Sequence, residues 1–317
     1  MCARVACLSV GVALLLALAS AAASTLPEAR ALLADYGFSA DEIARVEAGE
    51  LVRGDPVAST PRELVVSFAF RVDAKPASVV DLIRTYLLAD VDPMRLSGEI
   101  HEDGGLADFA RITLGPDDAE NLSREERTAF AKLSDPGEIA RQMRETLLAR
   151  VQAYRAKGLD GIAPYARGEE QLSPGDELRA ASEAAQTLVP YAPVAAALLL
   201  AYPAGKPEGF EEMFRWRELE ARSVPSLYLE QAFVVADGDV RTSVERQFYV
   251  SAGYNAAQAV TAFVPTTTGT IVVYVYRTST DQVAGMGSSI KRTLGNRMLA
   301  SKLQGTLEKL RAEMLKR

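Results

Sequence analysis

The chain has 317 residues, of which 48% are hydrophobic and 24% are charged, and its formal net charge is −7. These values are typical of a globular protein, and the length permits one large domain or two small ones. The negative charge disfavours nucleic acid and an anionic membrane surface as the main partner.

The first residues have the layout of a secretory signal peptide. Arg4 precedes the apolar run Val5–Leu18, and small residues follow. Cleavage after Ala21 or Ala23 would remove a signal at residues 1–23. An uncleaved N-terminal anchor is the alternative, although the apolar run is short for a membrane span. We therefore expect a periplasmic or secreted protein of the bacterial cell envelope that meets the membrane only through its signal peptide.

Few residues of the chain suit catalysis or metal binding. Both cysteines, Cys2 and Cys7, fall within the predicted signal, so the mature protein is expected to have no disulfide, thiol nucleophile or cysteine metal site. His101 is the single histidine, and a catalytic triad or a histidine metal site would need partners that the sequence does not supply. A hydrolase that uses two carboxylates stays open, but no acidic pair stands out. We predict no catalytic residue, no metal and no cofactor, and a binding role is favoured over an enzymatic one.

The N-terminal part of the predicted domain mixes helices and strands. Ser39-Ala40-Asp41-Glu42 has the form of a capping box and predicts a helix through Glu47. Leu64–Val72 alternates with the two-residue period of a strand, and Pro76 suits the first turn of the helix that follows. The strands predicted in this part are Leu64–Val72, Met94–His101 and Leu106–Leu114.

Residues 116–219 are predicted to form a helical insertion, because strand signals are absent there. Ser123 begins a second capping box, and Pro136 opens a long amphipathic helix. The run Tyr191–Tyr202 is almost wholly apolar, yet it is too short to cross a bilayer and predicts a buried helix. No further linker interrupts the sequence, so residues 24–317 are interpreted as a single domain.

The C-terminal part is predicted to hold four antiparallel strands and one long helix. Asp237-Gly238 is a strong hairpin signal between the first two of these strands. The predicted strands are Pro225–Ala236, Val240–Ala252, Ala256–Val264 and Thr270–Thr278. The helix is predicted from an apolar stripe at helical spacing, formed by Ile290, Leu294, Met298, Leu303, Leu307, Leu310 and Met314.

This order of elements predicts an α+β fold in which a curved antiparallel sheet of about seven strands grips the long C-terminal helix, which covers its apolar face. The order resembles the helix-grip fold of START-like lipid-transfer and polyketide-cyclase-like proteins, and Phe70–Val80 looks like that family's first strand, link and first helix. The resemblance implies a cavity for an apolar ligand between sheet and helix. The helical insertion departs from the compact members of that family.

The chain is also similar to a family of exported bacterial proteins with no assigned activity. The similar segments are Phe38–Leu51, Glu245–Ser251, Tyr274–Ser279 and Gly285–Arg292. Relatives tend to show a histidine just before the tyrosine that corresponds to Tyr254, where this chain has Ala252-Gly253. The resemblance therefore implies export but supplies no chemistry.

Arg246 is the most unusual residue of the predicted strands, because it falls on the apolar side of Val240–Ala252. An unpaired charge is unfavourable there. A guanidinium could hold the carboxylate or phosphate head of an amphiphile in a bidentate contact. An internal ion pair with Glu230 or another sheet carboxylate, or a bulge that turns the side chain outwards, are the alternatives.

Four further residues complete the predicted ligand site. Tyr249, Tyr274 and Tyr276 could line a cavity, or they could fill the core as cross-strand pairs. Lys291 follows Gly285–Ser289 near the start of the last helix, where free amides could bind an anion. Small residues that let the helix pack closely on the sheet are the alternative for this segment.

We expect a periplasmic binding or carrier protein for a lipid or other amphiphilic small molecule. The first alternative is an envelope interaction or assembly factor that has no ligand cavity and docks partners on its helical insertion. The second is a cyclase-like enzyme with an acid or base in its cavity. The ligand and any protein partner stay undefined.

Overall fold

Ten strands and eight helices are described by the computed structural model, which covers residues 26–87, 94–221, 224–285 and 287–314. The predicted signal peptide lies outside the described residues. The strands are Val52–Gly54 (β1), Glu63–Val72 (β2), Met94–Ile100 (β3), Tyr165–Arg167 (β4), Glu170–Leu172 (β5), Glu212–Ala221 (β6), Val224–Asp237 (β7), Val240–Val250 (β8), Ala256–Thr266 (β9) and Gly269–Ser279 (β10). The helices are Leu26–Asp35 (α1), Ala40–Glu47 (α2), Pro76–Leu87 (α3), Arg124–Phe130 (α4), Pro136–Lys157 (α5), Pro174–Ala184 (α6), Pro193–Ala201 (α7) and Ser288–Met314 (α8).

Eight of the strands form one antiparallel sheet in the order β1-β2-β10-β9-β8-β7-β6-β3, and β4 pairs with β5 in a separate hairpin. The α+β class and the long C-terminal helix are confirmed, and the sheet has eight strands where about seven were predicted. Because β2 pairs with β10, the first long strand and the last one lie side by side. The final helix α8 therefore returns over β2, against which it packs.

Local sequence signals account for most of the element boundaries. The predicted capping boxes at Ser39 and Ser123 are both formed, and each serine accepts a hydrogen bond from the backbone N–H three residues on. The turn between β7 and β8 places Gly238 at φ 58°, a backbone conformation that glycine adopts without strain. The apolar run near Tyr191 forms α7, whose Leu198 and Leu199 are buried.

Both faces of the sheet are covered, which differs from the predicted single covered face. The face towards α1, α2, α5, α6 and α7, here called the inner face, carries the larger hydrophobic cluster. The face towards α3 and α8, here called the outer face, carries a second cluster that includes Phe68, Phe70, Phe263 and Leu307. The helical insertion and the C-terminal helix therefore pack on opposite sides of the sheet.

This arrangement corrects the predicted partner of β8. Its apolar side chains Val240, Val244 and Phe248 belong to the inner-face cluster and pack with the helical insertion. These side chains therefore do not face α8, which lies on the outer face and packs mainly on β2.

A bulge changes which side of the sheet Tyr249 faces. Leu229 of β7 pairs with Tyr249, whereas the next residue, Glu230, pairs with Gln247, so Phe248 is the extra residue on β8. Phe248 and Tyr249 consequently both join the inner-face cluster, whereas Val250 packs in a separate small cluster with Tyr228. Simple alternation had assigned Tyr249 to the side opposite Arg246.

The predicted strand Leu106–Leu114 is wrong. Leu106–Phe109 forms a 3-10 helix, and Phe109 is buried. Side chains bond the backbone of this segment: the indole N–H of Trp216 donates to the carbonyl of Asp108 at 2.8 Å, and Glu218 accepts from the Thr113 N–H at 2.6 Å. The segment therefore needs no neighbouring strand to satisfy these groups.

Four short or polar strands were not predicted as such. They are β1, the β4–β5 hairpin in the predicted loop, and β6, which occupies the last part of the predicted insertion. The predicted stripe of α8 is also divided: Leu307 and Leu310 are buried, whereas Ile290, Leu294 and Met298 are exposed. The side chain of Met314 lies outside the described residues. None of the helices described is long and apolar enough to cross a membrane.

Candidate functional site

Arg246 lies on the inner face and is fully buried. Its Nε and Nη2 donate to Gln258 Oε1 at 2.9 and 2.7 Å, and Nη1 donates to the Tyr154 hydroxyl at 3.0 Å. Nη2 also donates to Ser182 Oγ at 3.1 Å and to the Leu199 carbonyl at 2.8 Å. These contacts join β8 to β9, α5, α6 and α7.

Every hydrogen-bond partner of Arg246 is a neutral group of the protein itself. Over the described ranges, no carboxylate forms an ion pair with it. The alternative of an ion pair with Glu230 is wrong, because Glu230 lies on the outer face and bonds Arg215. The ligand role of Arg246 stays a prediction, and its observed contacts give it a structural role in fixing the helical insertion to the sheet.

Tyr154 extends this inner cluster towards solvent. Its hydroxyl donates to Gln231 Oε1 at 2.7 Å, and Gln231 Nε2 donates to Glu212 at 2.5 Å. Burial raises the pKa of Tyr154, although nearby Arg246 opposes the rise. The phenol therefore stays neutral and relays hydrogen bonds from the buried guanidinium to a carboxylate.

Tyr249 lies elsewhere on the inner face, beside the guanidinium of Arg150, whose Cζ is 4.2 Å from the ring centroid. Its hydroxyl is buried and has no hydrogen-bond partner. Burial is the main cause that raises its pKa. Tyr249 therefore contributes a ring to the core and contacts none of the other predicted site residues through its hydroxyl.

The outer face carries a different buried charge cluster. On it, Nε of Arg215 from β6 donates to Glu230 of β7 at 2.5 Å, and both side chains are almost completely buried. Gln247 Nε2 donates to Glu230 at 3.4 Å, and the hydroxyl of Tyr254 donates to Gln247 at 2.7 Å. Three adjacent strands thus contribute to the contacts of one buried carboxyl group.

Glu245 is a second acid on the same face, on the strand next to Glu230. The pKa of Glu245 is raised to about 7, first by burial and then by the charge of Glu230, whereas Arg215 and Arg217 oppose the rise. A carboxyl whose pKa lies near neutrality can both hold and release a proton under physiological conditions. Neither Glu245 nor Arg215 was among the predicted site residues.

Three phenols lie around the two carboxylates. Burial is the main cause that raises the pKa of Tyr228, with Glu230 next. The pKa of Tyr274 rises well above its usual value, first through burial and then through Glu245 and Tyr276. Glu230 thus acts on Tyr228, Glu245 acts on Tyr274, and Tyr276 acts on both of these phenols. Neutral phenols at such a site can donate hydrogen bonds to a bound polar group.

The outer-face polar cluster, meaning Arg215, Arg217, Tyr228, Glu230, Glu245, Tyr274 and Tyr276, is our candidate functional site. It adjoins an apolar region on the same face, formed by aromatic and aliphatic side chains of β2, β9, β10, α3 and α8. Tyr274 belongs to both regions, since its ring is part of the apolar cluster and its pKa responds to Glu245. The face therefore changes from apolar to charged over neighbouring strands.

No known protein family matches the chain, and no curated protein and no solved structure matches it significantly. The candidate site thus depends on the geometry of the chain alone.

The structure brings some of the predicted site residues together and separates others. Tyr274 and Tyr276 lie on the outer face, whereas Arg246 and Tyr249 lie on the inner face. Lys291 is exposed in the first turn of α8, where its Nζ donates to the Ala284 carbonyl at 3.4 Å. Nearby Met286 lies outside the described residues. Among the residues that are described, no group of His, Cys, Asp or Glu could hold a metal ion.

The alternating sequence pattern alone did not identify the charged residues of the outer face as site residues. Glu245 lies on the polar side of β8, and Arg215 lies on the charged side of β6. The sequence pattern therefore predicts that both side chains are exposed to solvent. In the folded sheet Arg215 is nevertheless buried and Glu245 is partly buried. Arg215 and Glu230 are paired directly across β6 and β7, so a cross-strand Arg and Glu could have identified this pair once β6 was recognised as a strand.

Proposed function

We propose that this protein binds a small amphiphilic molecule on the outer face of its sheet, in the bacterial cell envelope. The observation that carries the proposal is the outer face itself, which presents an apolar region beneath α3 and α8 and, beside it, a charged, phenolic region centred on β6, β7 and β8. A binding site usually combines apolar surface with a few polar groups that orient the ligand.

The chemistry of the cluster suggests how such a molecule would lie. Its polar head would accept hydrogen bonds from Tyr228 and Tyr274 and exchange a proton or a hydrogen bond with Glu245. Its apolar part would lie under α8, against the aromatic residues of β2 and β9, which include Phe68 and Phe263. Glu230, which accepts a hydrogen bond from Arg215, would place its carboxyl group next to the polar head of the ligand.

The same proposal includes the helix-grip fold. Two features support it: α8 and α3 share one face of the sheet, and the strand that precedes α8 pairs with β2. In a grip of this kind, the ligand would lie between the sheet and the terminal helix, which is the side of the outer-face polar cluster. The helical insertion on the inner face departs from the compact arrangement.

Two tyrosine variants on opposite faces test the binding proposal. Tyr274→Phe removes a hydroxyl from the outer face, and Tyr249→Phe removes one from the inner face, while both keep the ring. Protein extracted gently from its own host should carry a bound molecule in native mass spectrometry. We expect the occupancy to fall about tenfold in Tyr274→Phe, as the loss of one buried hydrogen bond to a ligand implies.

Tyr249→Phe should retain the wild-type occupancy. The proposal is overturned if wild-type protein is recovered only as the bare chain. It is also overturned if Tyr249→Phe loses the molecule and Tyr274→Phe keeps it, because that result would place the ligand on the inner face.

A second candidate, a cyclase-like enzyme, is favoured by one observation. Glu245 has a pKa of about 7 in a buried site, which suits a general acid or base. Glu245→Gln should then retain a molecule that differs in mass from the one retained by the wild type, because the substrate would accumulate unconverted. Identical masses in the two proteins would exclude this role for Glu245.

A further inference from the structure

The N-terminal half of α8 exposes an apolar stripe to solvent. Ile290, Leu294 and Met298 are 76%, 59% and 56% exposed, and they are among the few large hydrophobic residues exposed on the described surface. Their spacing of four residues places them on one side of the helix over about 12 Å. The opposite side of α8 packs on the sheet through Ala300, Leu307 and Leu310.

Basic side chains border this stripe. At about 100° per residue, Lys291 and Lys302 lie on one flank and Arg297 lies on the other. All three are exposed. The helix as a whole carries six basic and two acidic residues, although the chain has a formal net charge of −7. Positive charge is thus concentrated on one helix of an acidic protein.

We infer that the exposed side of α8, meaning Ile290, Lys291, Leu294, Arg297, Met298 and Lys302, docks on the surface of an anionic lipid bilayer. A helix lies in the bilayer interface when its apolar side chains enter the acyl boundary and its flanking lysines and arginines reach the head groups. Each cation near an anionic surface adds to the attraction. This surface is separate from the outer-face polar cluster, and the inference does not depend on a bound amphiphile.

Charge distinguishes the bilayer from a second copy of the chain. Two copies that met through this stripe would bring Lys291, Arg297 and Lys302 of each into the same contact, and like charges at short distance oppose association. An anionic surface instead pairs with these cations while the aliphatic side chains leave water. We expected membrane contact only through the signal peptide, and this inference adds a second contact through α8.

Flotation with vesicles tests the inference on the full chain. Leu294→Glu places a charge in the stripe, and Val57→Glu is the matched control because Val57 is 83% exposed in another part of the surface. With vesicles of phosphatidylcholine and phosphatidylglycerol in equal parts, Leu294→Glu should reduce the bound fraction about tenfold. Val57→Glu should bind as the wild type does. Both variants keep the apolar run of residues 5–18, so the difference between them reports α8 alone.

Charge and depth provide two more measurements. Lys291→Glu with Arg297→Glu should also reduce binding about tenfold, and vesicles of phosphatidylcholine alone should bind less than the anionic ones. In a background with Cys2→Ser and Cys7→Ser, an environment-sensitive dye on Leu294→Cys should shift to the blue with anionic vesicles. The same dye on Val57→Cys should not shift.

Equal binding by Leu294→Glu and Val57→Glu would overturn the inference, as would equal dye shifts at the two positions. A wild-type dimer in solution that Leu294→Glu dissociates would overturn it in favour of a second copy. Retention on an acidic protein without any binding to anionic vesicles would overturn it in favour of a protein partner.

Discussion

The two faces of the sheet bury charge in different ways. On the inner face, Arg246 donates five hydrogen bonds to neutral groups, which tie it to four other elements. On the outer face, Arg215 bonds Glu230, and the neighbouring Glu245 has a pKa near neutrality. A buried charge whose donors are satisfied by fixed protein groups stabilises one arrangement. An acid that is only partly neutralised remains able to change its protonation state, so the outer face is the more responsive one.

The largest effect should come from the inner face. Arg246→Ala leaves the Leu199 carbonyl and the Ser182 hydroxyl without their donor and opens a cavity beneath α7. We expect the free energy of unfolding to fall by about 3–5 kcal/mol. Urea unfolding followed by the fluorescence of Trp216, the single tryptophan, measures this directly.

Arg246→Met serves as the control for volume, since it fills most of the space but donates no hydrogen bond. It should be less destabilising than Arg246→Ala and still less stable than the wild type. A loss below about 1 kcal/mol in Arg246→Ala would contradict the structural role of Arg246, because surface substitutions have effects of that size.

A medium effect should come from the pH dependence of the outer face. The pKa of Glu245 is raised in the folded protein to about 7, from a usual carboxyl value of 4.5. The folded state therefore binds the proton more tightly, and the stability that Glu245 contributes is complete below about pH 4.5 and lost as the pH rises through about 7. Glu245→Gln should be more stable than the wild type at pH 8, by about 1–3 kcal/mol.

The stability difference between Glu245→Gln and the wild type should shrink towards pH 4.5, because the wild-type carboxyl is then protonated in the folded state and increasingly protonated in the unfolded state. Glu102→Gln is the matched control, since Glu102 is exposed in a turn and loses a charge in the same way. The free energy of unfolding between pH 5 and 8 distinguishes them. A constant difference between Glu245→Gln and the wild type across this range would show that Glu245 does not titrate there.

The sequence predicted the elements of this fold better than their packing. Alternation identified β2 and β8, and the Asp-Gly hairpin signal fixed the turn between β7 and β8. Periodicity could not tell on which side of the sheet each helix lies. The first turns of α8 illustrate this, because Leu294 has the spacing of a core residue and is nevertheless exposed.

The candidate site was predicted only in part, for two physical reasons. A single bulge at Phe248 moves Tyr249 to the inner face, and bulges leave little trace in one sequence. Partly buried carboxylates such as Glu245 resemble solvated ones until their surroundings in the fold are known. Tyr274 and Tyr276 could be predicted because large phenols on a strand indicate a buried or binding surface in either case.

The smallest effects should come from two buried tyrosines of the inner face, whose hydroxyl groups differ in their hydrogen bonds. The Tyr154 hydroxyl accepts from Arg246 and donates to Gln231, whereas the Tyr249 hydroxyl has no partner. Tyr154→Phe should lower the free energy of unfolding by about 1–2 kcal/mol, because it leaves a charged donor and an amide unpaired. Tyr249→Phe should be neutral or stabilising by a few tenths of a kcal/mol, since it removes a buried hydroxyl that bonds nothing.

Each substitution keeps the aromatic ring and its packing, so the difference between the two variants isolates the hydrogen bonds. Tyr154→Phe in an Arg246→Met background should lose much of its effect, because the two residues share one network. Additive losses in that double variant would instead show that the Tyr154 hydroxyl acts through its hydrogen bond to Gln231 and not through Arg246. In that case, Arg246 and Tyr154 would stabilise the inner face independently, and the inner face would hold two separate polar contacts where we infer one network.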